Sequence, residues 1–152
     1  MRPLTHFILG TFFALVLLVL LPKINLIGAV IICLLSVLID VDHYLYYAYK
    51  KRDLSLKNAH NYFVIKGKKI NDLPKNQRKN FYTGFYFLHG IEILIILFFL
   101  SRISTYFLYV LIGFAFHLVL DISYCIVLRR RVERFSIIYD FIIHKKLKLI
   151  CD

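Results

Sequence analysis

The chain has 152 residues, of which 60% are hydrophobic and only 19% are charged, and its mean hydropathy is +0.70. Soluble domains contain about half apolar and about a quarter charged residues, so this composition excludes an ordinary soluble domain and indicates a membrane protein. Lys and Arg outnumber Asp and Glu by 20 to 9. The three cysteines form no CxxC pair and no even-numbered set, so they predict neither a zinc ribbon nor a disulfide framework.

Four apolar segments follow one another along the chain, and each has enough residues to cross a hydrocarbon layer of about 30 Å as a helix. They cover residues 4–21, 26–49, 81–100 and 105–128. No small-residue cleavage site follows the first segment, so we interpret it as a retained span rather than a signal peptide. The sequence therefore predicts an all-α membrane protein, with residues 1–152 forming a single domain built on a four-transmembrane-helix bundle.

The basic residues predict the orientation of this bundle. Except for Lys23 and Arg102, every Lys and Arg lies in the N-terminal tail, in the loop 50–80 or in the tail 129–152. The positive-inside rule then places both termini and the loop in the cytoplasm, for a protein of the plasma or inner membrane. Anionic lipid headgroups account for the positive charge, so the predicted partner is the lipid bilayer and no nucleic acid is expected. Homo-oligomerisation is compatible with this composition.

The loop and the tail carry weaker signals. Residues 62–71 give a faint hairpin pattern, and Asp72-Leu73-Pro74 is typical of a helix start that leads into the third span. In the tail, Phe135, Ile138 and Ile142 fall at helical spacing and are followed by lysines. This pattern predicts a short C-terminal helix that lies at the membrane interface.

Ionisable residues inside the apolar segments are the most informative feature of the sequence. An Asp at the centre of a span costs about 2.5–3.5 kcal/mol on insertion scales, so a compensating interaction is required. The residues concerned are His6, Asp40, Asp42, His43, His89, Glu92, His117 and Asp121. Counted from the basic residues that end the segments, Asp40, His89 and His117 lie at similar depths in the cytoplasmic half of the bundle.

Their spacing predicts a metal site. Three pairs share a helix face, namely Asp40 with His43, His89 with Glu92, and His117 with Asp121. Paired His and carboxylate side chains on facing helices are how metal sites are built in bundle cores. Neutral imidazole and carboxylate suit zinc above all, and also manganese, iron or nickel, with one or two ions bound.

The predicted primary ligands are Asp40, His43, His89, His117 and Asp121, with His6 or Asp42 completing the set. Glu92 is a further candidate ligand. Asp42 lies about 100° around the helix from His43, so it is either a ligand or a partner that orients an imidazole.

Several of these residues occur in a familiar order: Thr5-His6, Asp40-Val41-Asp42-His43, and Gly113 with His117 and Asp121. The pattern resembles the membrane-bound metal-dependent hydrolases of the LexA-binding, inner-membrane-associated hydrolase family. In that family a near-N-terminal His, a D-x-D-H segment, an H-R-G-x-x-H-S segment and a late G-x-x-x-H-x-x-x-D segment recur in this order. The third element departs from it, since His89-Gly90-Ile91-Glu92 has one His and a Glu where the family shows two His and an Arg. The resemblance implies metal-dependent hydrolysis of a phosphoester in or near the lipid.

Our leading hypothesis is a membrane-embedded metal-dependent hydrolase that acts on a phosphoester or lipid-like substrate at the cytoplasmic leaflet. A metal-activated water would be the nucleophile, and Glu92 and Asp42 are the candidate catalytic residues, with Glu92 as the general base if it is not a ligand. A transporter of metal ions or protons is one alternative, although the outer halves of the spans are nearly devoid of polar groups, which disfavours conduction. A membrane scaffold stabilised by a structural metal is the other.

Overall fold

The computed structural model describes residues 3–82, 84, 86–130, 136–144 and 148–149. Helices make up nearly all of its regular structure. They are α1 (Pro3–Leu20), α2 (Leu26–Leu38), α3 (Val41–Lys51), α4 (Leu56–Asp72), α5 (Ile91–Leu100), α6 (Thr105–Val127) and α7 (Ile137–His144). A single turn of 3-10 helix covers Arg78–Asn80, and two short strands, β1 (Phe81–Tyr82) and β2 (Lys148–Leu149), pair in parallel.

Three of the described helical segments are long and apolar enough to cross a membrane: Pro3–Leu20, Leu26–Lys51 and Thr105–Val127. They correspond to the first, second and fourth apolar segments of the sequence. The second comprises both α2 and α3, because the helix is interrupted at residues 39–40. Large apolar side chains on α1, such as Phe12 and Val19, are 68% and 82% exposed, as expected of a surface that faces lipid.

The described residues of the third apolar segment are helical only from Ile91 onward, so the predicted helix over residues 81–100 is wrong for residues 81–82, 84 and 86–90. α5 has ten residues, too few to cross the hydrocarbon layer alone. Gly84 and Gly90 have low helix propensity. The backbone N–H of Leu88 donates to the Asp42 carboxylate at 3.1 Å, instead of to a carbonyl one helical turn earlier.

Residues 50–80, predicted as a loop, are largely the helix α4. The faint hairpin pattern at residues 62–71 is therefore wrong, because those residues are helical throughout. Asp72 ends α4 and Leu73 is its C-cap, so the predicted helix start at this point is wrong as well. α7 lies where the sequence predicts a C-terminal helix, and Phe135 lies outside the described residues.

The structure divides into two compact units. Unit 1 comprises Met1–Asp40 and Ile91–Asp121, and unit 2 comprises Val41–Gly90 and Ile122–Asp152. The division falls within α6, just after Asp121.

In unit 1, α1 and α2 pack as an antiparallel hairpin. Asn25 caps α2 by accepting a hydrogen bond from the Gly28 N–H at 2.8 Å. The helices approach closely at Gly10, where an added Cβ would lie 1.9 Å from the Ser36 hydroxyl oxygen. Ile32, which is fully buried, lies at the centre of the core beside Ala14. Small residues thus bring these helix backbones together, as is common between membrane helices.

In unit 2, the turn between α3 and α4 is organised by Asp53. Its carboxylate accepts hydrogen bonds from the Tyr47 hydroxyl at 2.5 Å, the Asn58 amide at 2.8 Å and the Ser55 N–H at 2.9 Å. Ser55 in turn caps α4 by accepting from the Asn58 N–H. These hydrogen bonds, of which the one from the Tyr47 hydroxyl has the largest effect, hold the pKa of the Asp53 carboxyl below its ordinary value.

Two arginines close the C-terminal end of α4. Arg78 donates to the carbonyls of Asn71, Leu73 and Leu128, and Arg130 donates to the Gly67 carbonyl at 2.6 Å. Arg130 also forms a bidentate contact with the Asn71 side-chain oxygen, at 2.7 and 3.0 Å. The Arg78 guanidinium thus satisfies carbonyls at and just beyond helix ends, which have no intrahelical partner.

Candidate metal centre

Unit 1 contains a buried group of two imidazoles and two carboxylates, which we call cluster 1: His6, Asp40, His117 and Asp121. His6 lies on α1, Asp40 follows α2, and His117 and Asp121 lie one turn apart on α6. His6, His117 and Asp121 are at most 1% exposed, whereas the Asp40 side chain is 14% exposed. Asp40, His117 and Asp121 each offer a ligand atom, and these atoms lie within 4.8 Å of one another.

The Ser36 carbonyl fixes the tautomer of His117. It lies 2.8 Å from His117 Nδ1, and because a carbonyl only accepts, Nδ1 must carry the proton. In the neutral ring the lone pair is then on Nε2. This atom lies 3.6 Å from Asp40 Oδ1 and 3.5 Å from Asp121 Oδ2. The basic nitrogen and two carboxylate oxygens therefore converge without a mutual hydrogen bond of ordinary length.

These separations match a metal site. Nitrogen and oxygen ligands about 2.0–2.2 Å from a tetrahedral zinc ion lie about 3.3–3.6 Å from each other. The two Nε2-to-oxygen distances, 3.5 and 3.6 Å, fall in or next to this range. Two ionised carboxylates in a buried site also require positive charge, and a single divalent cation would balance them. The donor set of cluster 1 thus fits a divalent metal ion in number, chemistry and spacing.

His6 contacts two other members of cluster 1, Asp121 and His117. Its Nε2 lies 3.2 Å from Asp121 Oδ1, and the carboxylate accepts, so Nε2 carries the proton. The oxygen that His6 contacts is thus not the one that faces His117. The His6 ring also stacks on His117, with centroids 4.1 Å apart and an interplanar angle of 16°. His6 therefore positions both Asp121 and His117.

Unit 2 contains a second group, cluster 2, formed by Asp42, His43 and His89. Asp42 lies in the first turn of α3 and is fully buried, as is His89, while the His43 side chain is 15% exposed. Asp42 Oδ1 is 2.7 Å from His43 Nδ1, and Asp42 Oδ2 is 2.9 Å from His89 Nδ1. The Leu88 N–H donates to the same Oδ2 at 3.1 Å. One carboxylate thus organises two imidazoles and a stretch of backbone.

This arrangement selects one tautomer for both rings. Since the ionised carboxylate only accepts, His43 and His89 each donate through Nδ1 and carry the lone pair on Nε2 when neutral. A carboxylate that holds the far nitrogen of a metal-binding imidazole is a recurrent feature of metal sites, where it orients the ring and raises its basicity. Of the two roles predicted for Asp42, the geometry favours the orienting one.

Glu92 is the remaining predicted residue. Glu92 is in the first turn of α5 and half-buried, and among the described residues it is a member of neither cluster. The His89–Glu92 pair does not share a helix face, because α5 begins at Ile91. Asp40 and His43 are likewise separated by the interruption between α2 and α3. His117 and Asp121 do share the predicted face of α6.

Two groups that orient site side chains were not predicted from the sequence. The first is Ser36, a small polar residue in an otherwise apolar run, which acts through its backbone carbonyl. Its polarity was a visible signal, but its partner on α6 was not. The second is Leu88, whose backbone N–H binds Asp42, and no sequence signal marks such a contact.

Comparisons of the chain with family models, with curated proteins and with solved structures find no match.

Proposed function

We propose that the chain is a membrane-embedded, metal-dependent hydrolase that acts on a phosphoester or lipid-like substrate at the cytoplasmic leaflet. The main support for this proposal comes from cluster 1. There, His117 Nε2 lies 3.5–3.6 Å from two carboxylate oxygens, and the proton of the neutral His117 ring is on Nδ1. This is the donor arrangement of a divalent metal site. The resemblance to the inner-membrane-associated hydrolases points to the same chemistry.

The residues of cluster 1 divide into ligands and supports. Asp40, His117 and Asp121 would hold the ion, zinc being the best match to two oxygens and one imidazole nitrogen. Ser36 and His6 keep these ligands oriented. When bound, the ion supplies Lewis acidity and makes water a nucleophile at neutral pH. Cluster 2 offers His43 and His89 as two further imidazoles, so a second ion can be held in the chain.

The exposure of the ligands favours a catalytic site over a structural one. A structural site is closed by protein on every side, whereas a catalytic site leaves a position for water or substrate. Asp40 and His43 are 14% and 15% exposed, although the other members of their clusters are buried. Each cluster therefore has one member that can be reached from outside. This observation supports the hydrolase over a scaffold with a purely structural metal.

Exposed basic residues are the reason for proposing an anionic substrate. Arg78 and Arg130 are engaged with helix-end carbonyls, but Lys57, Lys68 and Lys75 are exposed. On the proposed orientation, with both termini in the cytoplasm of a plasma or inner membrane, these lysines lie on the side of the anionic headgroups. Exposed ammonium groups attract phosphate-bearing molecules before they reach the site.

The test combines metal analysis with an activity assay on the full chain in detergent micelles. We expect the purified protein to contain a divalent metal and to release phosphate or a phosphorylated headgroup from anionic phospholipid in mixed micelles. His117→Ala should lose both properties. The matched control is His60→Ala, which removes an exposed imidazole on α4. Unchanged metal content in His117→Ala would refute the metal centre.

Separate outcomes address the alternatives. Metal uptake into liposomes that depends on His117, without hydrolysis, would establish a transporter instead. A metal that is lost in His117→Ala together with the fold, with no hydrolysis of any lipid phosphoester by the wild-type protein, would establish a structural ion.

A further inference from the structure

Tyr86 covers one face of a proposed metal-binding imidazole. Its ring stacks on His43 with centroids 3.8 Å apart and an interplanar angle of only 9°. Tyr86 is itself 4% exposed, so this contact is part of the interior of unit 2. A stack of this kind adds close packing contact between the two rings to the free energy of their burial.

The other sides of the His43 ring are also occupied. Asp42 accepts from Nδ1 at 2.7 Å, while Phe63 and His89 present their rings at steep angles, with centroids 5.3 and 5.0 Å away. Nevertheless, the side chain is 15% exposed. With Nδ1 covered by Asp42 and a face covered by Tyr86, the exposed part lies on the remainder of the ring, which includes the Nε2 edge.

A hydrogen bond at Nδ1 does not by itself fix this ring. Asp42 is the immediate chain neighbour of His43, and an imidazole held by one hydrogen bond can still break that bond by rotating about its side-chain torsions. A flat contact at 3.8 Å opposes this rotation, because turning the ring about χ2 drives one of its edges into the Tyr86 ring. A ligand that is already in its bound orientation loses less conformational entropy when it binds.

Gly84 explains how Tyr86 reaches this position. A Cβ added at Gly84 would lie 2.9 Å from the Tyr86 hydroxyl and 2.9 Å from the edge of the Tyr46 ring. The glycine therefore leaves the space in which both tyrosines pack. Tyr46 contacts the edge of Tyr86, with centroids 6.0 Å apart, and so lies one ring further from His43.

We propose that Tyr86 is a positioning residue of cluster 2, which holds the His43 imidazole with Nδ1 on Asp42 and Nε2 presented to a metal ion. This inference rests on the proposed metal-dependent function. It adds to it a residue outside the predicted ligand set, whose aromatic ring, rather than its hydroxyl, does the positioning.

The experiment uses the full chain in detergent micelles, with histidine labelled by ¹⁵N, and compares four substitutions. Tyr86→Leu removes the stacked ring, Tyr86→Met does so with less loss of length, and Tyr86→Phe keeps the ring without the hydroxyl. Tyr46→Leu is the matched control. The imidazole tautomer of His43 is read in metal-free protein, and cobalt(II) is then titrated as a spectroscopic probe of metal affinity.

We expect wild type, Tyr86→Phe and Tyr46→Leu to show a single His43 population protonated at Nδ1. Tyr86→Leu and Tyr86→Met should show exchange-broadened or mixed tautomers, and cobalt(II) affinity about 3- to 10-fold lower than wild type. The Met variant serves if the Leu variant does not fold. If Tyr86→Leu lowered cobalt(II) affinity only by destabilising the protein, Tyr86→Phe would not be expected to keep wild-type affinity. Wild-type affinity in Tyr86→Phe therefore assigns the effect to the aromatic ring.

Three results would overturn the inference: an unchanged His43 tautomer in both ring-deleting variants, an equal effect in Tyr46→Leu, or no recovery in Tyr86→Phe. Failure of the proposed function looks different. In that case the wild-type protein binds no cobalt(II), yet the tautomer of His43 still depends on the Tyr86 ring.

Discussion

The two clusters use different acceptors to orient their imidazoles. In cluster 1 a neutral acceptor, the Ser36 carbonyl, takes the proton of His117, so both Asp40 and Asp121 remain directed at Nε2. In cluster 2 a charged acceptor, Asp42, uses both oxygens to bind the two Nδ1 atoms and a backbone N–H. The first solution concentrates negative charge at the prospective ion, while the second uses its charge to orient the ligands.

This difference predicts different dependence on a metal. The two carboxylates of cluster 1 are buried or nearly so, and without a cation they repel each other in a medium of low dielectric constant. The single carboxylate of cluster 2 has three hydrogen-bond donors, which stabilise its charge without any ion. Substitutions in the two clusters should therefore have unequal consequences for metal affinity.

The first prediction compares Asp121→Asn with Asp42→Asn. Asp121→Asn removes a charged ligand atom, so metal affinity should fall by more than the roughly 10- to 100-fold that follows the loss of an orienting partner. Asp42→Asn should cause a loss within that smaller range, since an amide can accept from one imidazole N–H but turns an N–H of its own toward the other. Isothermal titration of zinc into metal-free protein measures both. Equal losses would show that the two carboxylates play the same role.

The second prediction compares glycines in the two units. Gly10→Ala places a methyl group 1.9 Å from the Ser36 hydroxyl oxygen, so α1 and α2 must separate and the carbonyl that orients His117 must move. We expect a destabilisation of about 1–3 kcal/mol, the usual cost of overpacking. Gly67→Ala is the control, because its added Cβ would be 3.6 Å from Arg130, an ordinary contact.

Gly67 lies inside α4, so replacing it by Ala should stabilise the protein by about 0.5–1 kcal/mol through helix propensity. Thermal unfolding in micelles, together with the zinc affinity of each variant, distinguishes the two cases. A neutral Gly10→Ala would mean that the α1–α2 contact is not close-packed.

The His117–Asp121 pair shows what the sequence could predict. Regular helix geometry fixes the relation of residues four apart, so the spacing alone placed both side chains on one face of α6. The membrane-crossing length of three helical segments was predictable for a similar reason, since length and hydropathy set it. Local periodicity was sufficient wherever the helix was continuous.

The interruption between α2 and α3 shows why the rest was not predictable. Residues 38–41 are Leu-Ile-Asp-Val, without the Pro or Gly that usually marks a break. Likewise, residues 81–90 read as an apolar helix, but Asp42 binds the Leu88 N–H and the His89 ring instead. These departures arise from contacts with residues distant in the chain, which periodicity does not contain. They occur where the predicted ligands Asp40, Asp42 and His89 lie.

The smallest predicted effect concerns Asp53, which belongs to neither cluster. Hydrogen bonds from Tyr47, Asn58 and Ser55 lower the pKa of its carboxyl from the ordinary value of 3.8. A group whose pKa is lowered by folding stabilises the native state above its ordinary pKa, and this contribution is lost as the pH falls through the native value. Wild-type protein should therefore unfold at a higher temperature than Asp53→Asn near pH 7, and this difference should shrink below about pH 4.

Taking the difference between the two proteins is essential, because it removes every pH-dependent contribution that wild type and variant share. What remains after subtraction belongs to the α3–α4 turn. The same measurement on Asp72→Asn, which alters an exposed carboxylate at the other end of α4, provides the control. If the difference for Asp53→Asn were constant from pH 7 to pH 3, its carboxylate charge would not contribute to the turn.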